Sequence, residues 1–189
     1  MSDIPDEEVM GMFQKGDTPA FSLLVRKYKD DLTNFVIRFV GEEDEAEDIV
    51  QETFVRVFRK KHQFLPGAKF STWLYTIAAN LARTRLRRLS LRRFIRLGND
   101  AEEGPVFDLP DENARTDRAA EESLREERIQ RALDALPVRL KEVVVLRDIQ
   151  ELTYEEIAAI TGSAMGSVKS RISRARSRLR GMLKDLWDE

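Results

Sequence analysis

Thr153-Tyr-Glu-Glu-Ile-Ala-Ala-Ile-Thr-Gly162, followed directly by Ser163-Ala-Met-Gly-Ser-Val-Lys-Ser-Arg-Ile-Ser-Arg-Ala-Arg-Ser-Arg-Leu-Arg180, reads as a helix-turn-helix. Thr153 is placed to cap the first helix, and Glu156, three residues on, can return the bond to the Thr153 backbone, which makes a capping box. Gly162 supplies the left-handed stop. Ser163 is then placed to cap a second helix, whose apolar residues Val168, Ile172, Ala175 and Leu179 recur at helical spacing and mark one buried face.

The opposite face carries the chemistry. At roughly 100° per residue, Gly166, Ser170, Ser173, Arg174 and Ser177 lie on the far side. Ser167, Arg171 and Arg178 line one flank, and Lys169, Arg176 and Arg180 the other. A strip of mostly small residues between two basic rows suits a helix that sinks into the major groove, where small positions approach base edges and arginines grip phosphates or guanine. A merely solvated basic helix is the plainer alternative, but it needs neither the capped helix nor the glycine turn that precedes this one.

The 189 residues, 42% of them hydrophobic, suffice for one domain or two small ones. The sequence has no cysteine, hence no disulfide framework and no thiolate metal site. No apolar run resembles a signal peptide or a membrane span, so a cytoplasmic protein is expected. The net charge of -2 hides segregation. Residues 41–55 hold seven acids and no base, residues 83–96 seven arginines and no acid, and residues 167–184 seven bases and no acid. Separate surfaces for separate partners are expected.

Residues 3–15 suggest a short helix. Thr18-Pro19 starts a stronger one, with Thr18 as cap, whose stripe of Phe21, Leu24, Val25, Tyr28, Leu32, Phe35, Val36 and Phe39 ends at Gly41. Acids from Glu42 to Asp48 load the first turns of the next helix, where the macrodipole favours them. They exceed what a helix start needs, and Asp44, Glu47, Asp48 and Gln51 share a face, which suggests acidic docking. A carboxylate metal site is disfavoured, because the single histidine, His62, lies beyond the basic end of that helix.

Pro66-Gly67 make residues 62–69 a loop. The helix after it, from about Phe70, presents Trp73, Leu74, Ile77, Ala78 and Leu81 as its core side and leaves Thr72, Tyr75, Asn80 and Arg83 for solvent or a ligand. Rings and amides beside a loop, leading into an arginine run, are what a single-strand binder uses. Residues 97–118, rich in glycine, proline and acid, read as a linker. The expected architecture is all-α: an N-terminal helical domain (1–96), an acidic linker (97–118) and a C-terminal helix-turn-helix domain (119–189) with three supporting helices.

Three stretches in this order resemble the bacterial RNA polymerase sigma factors of the extracytoplasmic-function group. They are Asp44-Glu-Ala-Glu-Asp-Ile-Val-Gln-Glu-Thr-Phe54, Phe70-Ser-Thr-Trp-Leu-Tyr-Thr-Ile-Ala-Ala-Asn80, and Leu152-Thr-Tyr-Glu-Glu-Ile-Ala through Gly166-Ser-Val-Lys-Ser-Arg-Ile-Ser-Arg-Ala-Arg176. The resemblance implies that Asp44, Glu47, Asp48, Gln51 and Glu52 face the clamp helices of the polymerase β-prime subunit. It implies a minus-ten site at Phe64, Lys69, Thr72, Trp73, Tyr75, Asn80 and Arg83, and a minus-thirty-five site at Ser167, Lys169, Ser170, Arg171, Ser173, Arg174, Arg176 and Arg178. The linker would thread the polymerase, and a dedicated anti-sigma factor, sometimes membrane-bound, would hold the protein inactive. No cofactor, metal or catalytic residue is implied, and the residues show no nucleophile with a base and no phosphate loop.

Two other functions fit parts of the pattern. A self-sufficient DNA-binding regulator would bind a palindrome as a dimer, and needs neither the acidic face nor the aromatic loop. A helical protein that sequesters a transcription factor would not need the small-residue strip between basic rows.

Overall fold

The computed structural model describes residues 4–99 and 117–184, all helix and connecting loop. The order is α1 (Asp6–Gln14), α2 (Thr18–Val40), α3 (Glu43–Arg59), α4 (Phe70–Asn99), α5 (Asp117–Asp134), α6 (Val138–Val144), α7 (Tyr154–Thr161) and α8 (Met165–Met182). A 3₁₀ turn, Lys61–Gln63, follows α3, and a π turn, Val145–Ile149, extends α6. The π turn is continuous with the helix that starts after Pro137. Most of the expected linker, residues 100–116, lies outside the described residues.

The N-terminal helices surround a phenylalanine-rich core in which Phe13, Phe35, Phe39 and Phe70 are fully buried. The cap of α2 is Asp17 and not Thr18: its carboxylate accepts from the Ala20 N–H at 3.3 Å, which leaves Thr18 and Pro19 inside the first turn. Gly41 closes that helix at φ +94°, where a side chain would be strained and a Cβ would also meet the Asp134 carboxylate at 3.0 Å. In the C-terminal half, α6 packs on α8, with Val143, Leu146, Val168, Ile172 and Ala175 buried, and α7 packs on α8 and the π turn.

The two halves are not held apart. Their buried residues form one continuous apolar cluster, and α4 packs along α7. The buried stripe of α4 is therefore wider than its periodicity predicts and is turned by about one residue. Leu74, Tyr75, Ala78, Ala79 and Ala82 are buried, whereas Trp73, Ile77 and Leu81 are half-buried. A helix covered from two sides loses the polar face that a one-sided reading gives it.

Candidate nucleic-acid interface

The loop before α4, residues 64–69, borders this surface. Helix α1 holds that loop in place. Gln14 Nε2 donates to the carbonyls of Lys61 (2.7 Å) and Phe64 (3.0 Å), and Lys61 Nζ donates to the Phe13 carbonyl at 3.1 Å. The first N–H of α4, on Phe70, donates to the Glu7 carboxylate of α1 at 3.0 Å, so a helix start with no local cap is satisfied by a residue 63 positions earlier. This fixes the loop against the first turn of α4. Phe64, expected among the base-contacting side chains, is 5% exposed and packs on Phe70 and Trp73, with ring centroids at 6.2 and 5.4 Å. Its role is to support Trp73. The exposed large apolar residue of the loop is its neighbour Leu65, at 68%, which periodicity could not single out.

Of the other residues expected at this site, Lys69 and Asn80 are exposed, and Thr72, Trp73 and Arg83 half-buried. Asn80 accepts from Arg83 at 2.5 Å. Tyr75, expected to be open to a ligand, is 4% exposed. Its ring meets Phe35 edge-on at 5.4 Å, and its hydroxyl donates to the Gln150 side chain at 2.6 Å. Burial, with Asp31 adding to it, pushes that hydroxyl well above the ordinary tyrosine value, so it remains a donor. Lys69 and Arg83 also reach across. Lys69 Nζ donates to Glu156 of α7 at 2.9 Å, and Arg83 stands 3.6 Å from Glu142 of α6.

The helix-turn-helix has the predicted start. Thr153 Oγ1 accepts from the Glu156 N–H at 3.2 Å, and the Glu156 carboxylate accepts from the Thr153 N–H at 2.8 Å, completing the box. Gly162 is left-handed at φ +61°. Ser163 does not cap α8, however. The cap position is Ala164, and Ser163 Oγ accepts from Arg171 at 2.8 Å instead. Along α8, Val168, Ile172 and Ala175 are buried and Leu179 half-buried, while Ser170, Ser173, Arg174 and Arg178 are exposed, as the angular reading has it. Ser167 is half-buried and Lys169 exposed, with Lys169 Nζ 5.7 Å from the Tyr154 ring. Arg176, expected on a DNA-facing flank, is tied to Asp148 through Nε (3.0 Å) and a terminal nitrogen (2.5 Å). A bidentate pair of this kind, itself at the surface, ties α8 to the π turn and engages that guanidinium.

Arg171 faces inward, into a cleft of about 1160 Å³ between the halves that is also lined by Arg83, Arg87, Arg139 and Glu142. Glu142 is 3% exposed, and its Oε1 has no hydrogen-bond partner among the described residues. Burial raises its pKa above the usual 4.5, outweighing the pull of Arg83 and Arg171. A carboxyl raised on folding lends most stability below its unfolded value, and that contribution is lost as pH rises through the folded one. Glu142→Gln is therefore expected to raise the melting temperature at pH 7 and to have little effect below about pH 4.5. Thermal melts at the two pH values check this, and a lower melting temperature at pH 7 would mean that the two arginines win.

The acidic face lies on α3. Ala46, Ile49, Val50 and Phe54 are buried, which turns Asp44, Glu47, Asp48 and Gln51 outward. None of these four makes a hydrogen bond or ion pair among the described residues. Glu52 is half-buried and pairs with Arg56 at 2.7 Å, and Glu45 pairs with Arg85 of α4.

Residues 24–92 match the family described as Sigma-70 region 2, and residues 126–179 match Sigma-70, region 4. The RNA polymerase sigma-H factor of Pseudomonas aeruginosa is 34% identical over 187 residues, 97% of this chain and 96% of that one. The chain belongs to the ECF sigma factors. The ECF sigma-E factor of Escherichia coli is 32% identical, with 97% of this chain and 96% of that protein covered. ECF sigma factor SigE of Mycolicibacterium smegmatis is 39% identical over 165 residues, 87% of this chain but 62% of that longer protein. Among solved structures, CnrH in complex with the cytosolic domain of CnrY superposes with a TM-score of 0.72 at 28% identity, over 95% of this chain and 97% of that one. The sigma factor RpoE bound to the anti-sigma factor NepR, from Bartonella quintana, gives 0.67 at 29% identity, over 87% and 96%. The protein is thus a sigma factor for transcription initiation, with region 2 in α2–α4 and region 4 in α5–α8, and its family is non-catalytic. Polymerase core and promoter DNA are the partners the family implies. Among the described residues no helix is long and apolar enough to cross a membrane.

Proposed function

We propose that the acidic face of α3, Asp44, Glu47, Asp48 and Gln51 with Glu52 at its edge, docks on the clamp helices of the polymerase β-prime subunit. The observation that carries this reading is that four polar side chains stand exposed, with no hydrogen bond or ion pair among the described residues, on a helix whose other side is core. Replacing Asp48 and Gln51 together by alanine leaves the Ile49, Val50 and Phe54 packing intact. It is expected to weaken association with core roughly tenfold, and more so at low salt. Titration of the variant against core polymerase checks this, and an unchanged affinity removes the docking role.

The remaining assignments follow the same division, with domains at 1–96 and 119–189 and the linker between them. Lys69, Thr72, Trp73, Asn80 and Arg83, supported by Phe64, serve the minus-ten element once the duplex opens, and Tyr75 joins them only if region 4 moves away. Ser170, Ser173 and Arg174 read the minus-thirty-five element, with Ser167, Lys169, Arg171 and Arg178 beside them. Arg176 braces α8. The relatives solved with CnrY and NepR support control by an anti-sigma factor, cytoplasmic or itself membrane-anchored, acting on a cytoplasmic protein.

A further inference from the structure

The cleft of about 1160 Å³ between the halves has room for a nucleotide-sized molecule, and its charges do not balance one another. Five bases line it, Arg83, Arg87, Arg139, Lys141 and Arg171, against three acids, Glu42, Asp134 and Glu142. Lys141 and Asp134 neutralise each other at 2.5 Å, so four guanidinium groups are left facing two carboxylates. Arg87 and Arg139 are exposed, and their guanidinium groups make no hydrogen bond or ion pair among the described residues. Arg171 donates to Ser163 Oγ at 2.8 Å, which orients the group and occupies one of its N–H donors. The other irregularity is Glu142. It is 3% exposed, its Oε1 receives no hydrogen bond among the described residues, and Arg83 Nε stands off at 3.6 Å. A buried acceptor without a donor is costly to keep. One cavity thus brings together arginines that lack an anion and an acceptor that lacks a donor.

We infer that this cleft is a binding site for a small phosphate ester of nucleotide size. Arg87 and Arg139 grip its phosphate, with Arg83 and Arg171 beside them, and an N–H or O–H group elsewhere on the ligand donates to Glu142. Guanidinium forks match phosphate oxygens in pairs, which a carboxylate ligand of the same charge exploits less fully. Glu142 adds selectivity of a different kind. An anion with no donor would bring negative charge near a carboxylate and leave its oxygen unsatisfied, whereas a ligand with a donor answers both demands at once. The side chains come from α4 (Arg83, Arg87), α6 (Arg139, Glu142) and α8 (Arg171), so the ligand touches both halves. Arg87, Arg139 and Glu142 belong to neither promoter element in the assignments above, and the site stands whether or not those assignments hold.

Isothermal titration of the full chain with GDP and with inorganic pyrophosphate tests this. GDP carries phosphates together with the donor groups of guanine, and pyrophosphate carries the phosphates alone. Both are expected to bind, GDP roughly tenfold more tightly, the size of one hydrogen bond to a charged group. Arg87→Ala combined with Arg139→Ala, both at exposed positions, should leave the melting temperature of the unliganded chain unchanged and weaken both ligands roughly tenfold. Glu142→Gln keeps the shape and removes the charge. It should bring the two affinities together, because GDP loses a charge-assisted contact and pyrophosphate loses a repulsion. Arg178→Ala combined with Arg180→Ala, on α8 and outside the cleft, should change neither affinity. No binding of GDP at millimolar concentration, or a loss in the α8 double variant as large as in the cleft double variant, overturns the proposal. A tenfold advantage of GDP that survives Glu142→Gln overturns the assignment of Glu142.

Discussion

Replacing Phe35 by alanine is expected to cost about 3–5 kcal/mol of stability, the range for a fully buried phenylalanine whose neighbours cannot collapse into the space. Phe35 is wholly buried on α2, with Phe39 at 5.7 Å and the Tyr75 ring edge-on at 5.4 Å. Its removal takes away the wall against which Tyr75 is oriented toward Gln150, so the loss should be felt in both halves. Urea titration followed by far-ultraviolet circular dichroism checks it, with Phe35→Leu as the milder companion. A loss below about 1 kcal/mol would show that the cavity closes by repacking and that the aromatic cluster is not a rigid platform.

Arg174→Ala is expected to cost about 1–3 kcal/mol at the cognate minus-thirty-five element and to relax preference at one base pair. Arg174 lies opposite buried Val168, Ile172 and Ala175, is exposed, and among the described residues hydrogen-bonds to Ser170 alone: its Nε donates to the Ser170 carbonyl at 3.3 Å and a terminal nitrogen reaches the hydroxyl at 3.5 Å. Contacts of that length are readily exchanged for base-edge acceptors. Arg180, on the flank, should hold phosphate alone, so that Arg180→Ala weakens all sequences alike and lowers the salt slope by roughly one unit. Selection of bound sequences by holoenzyme carrying each variant decides between them. A shifted motif for Arg180→Ala and an unchanged one for Arg174→Ala would mean that α8 docks in another rotation.

The helix-turn-helix was legible because its signals are local. Thr153, Glu156 and Gly162 state the start and stop of α7 within ten residues, and the Val168, Ile172, Ala175 spacing states which way α8 faces. The outward acidic face of α3 was legible for the same reason. What could not be read depends on residues far apart in the chain. Tyr75 sits on a face that looks open until Phe35 and Gln150, both far away in the chain, meet it. Arg176 looks like its basic neighbours until Asp148, 28 positions earlier, claims it. Phe64 is one of two large apolar residues in a proline-glycine loop, and the grip of Gln14 on the loop carbonyls accompanies Phe64 turned inward and Leu65 outward. Gln150 and Glu142 carry no sequence signal at all, and Glu156 carried one that pointed only to its own helix.

That double duty of Glu156 has a kinetic side. A surface ion pair is usually weak because two long side chains must both surrender rotamer freedom to form it. Here one partner surrendered it already when α7 folded, since the capping box holds the carboxylate whether or not Lys69 is near. Forming this pair then has only the lysine to order, and parting it leaves the cap unbroken, so no turn of helix need melt or re-form. The pair can therefore break and re-form on the fast scale of exposed side-chain motions and not on the slower one of local unfolding.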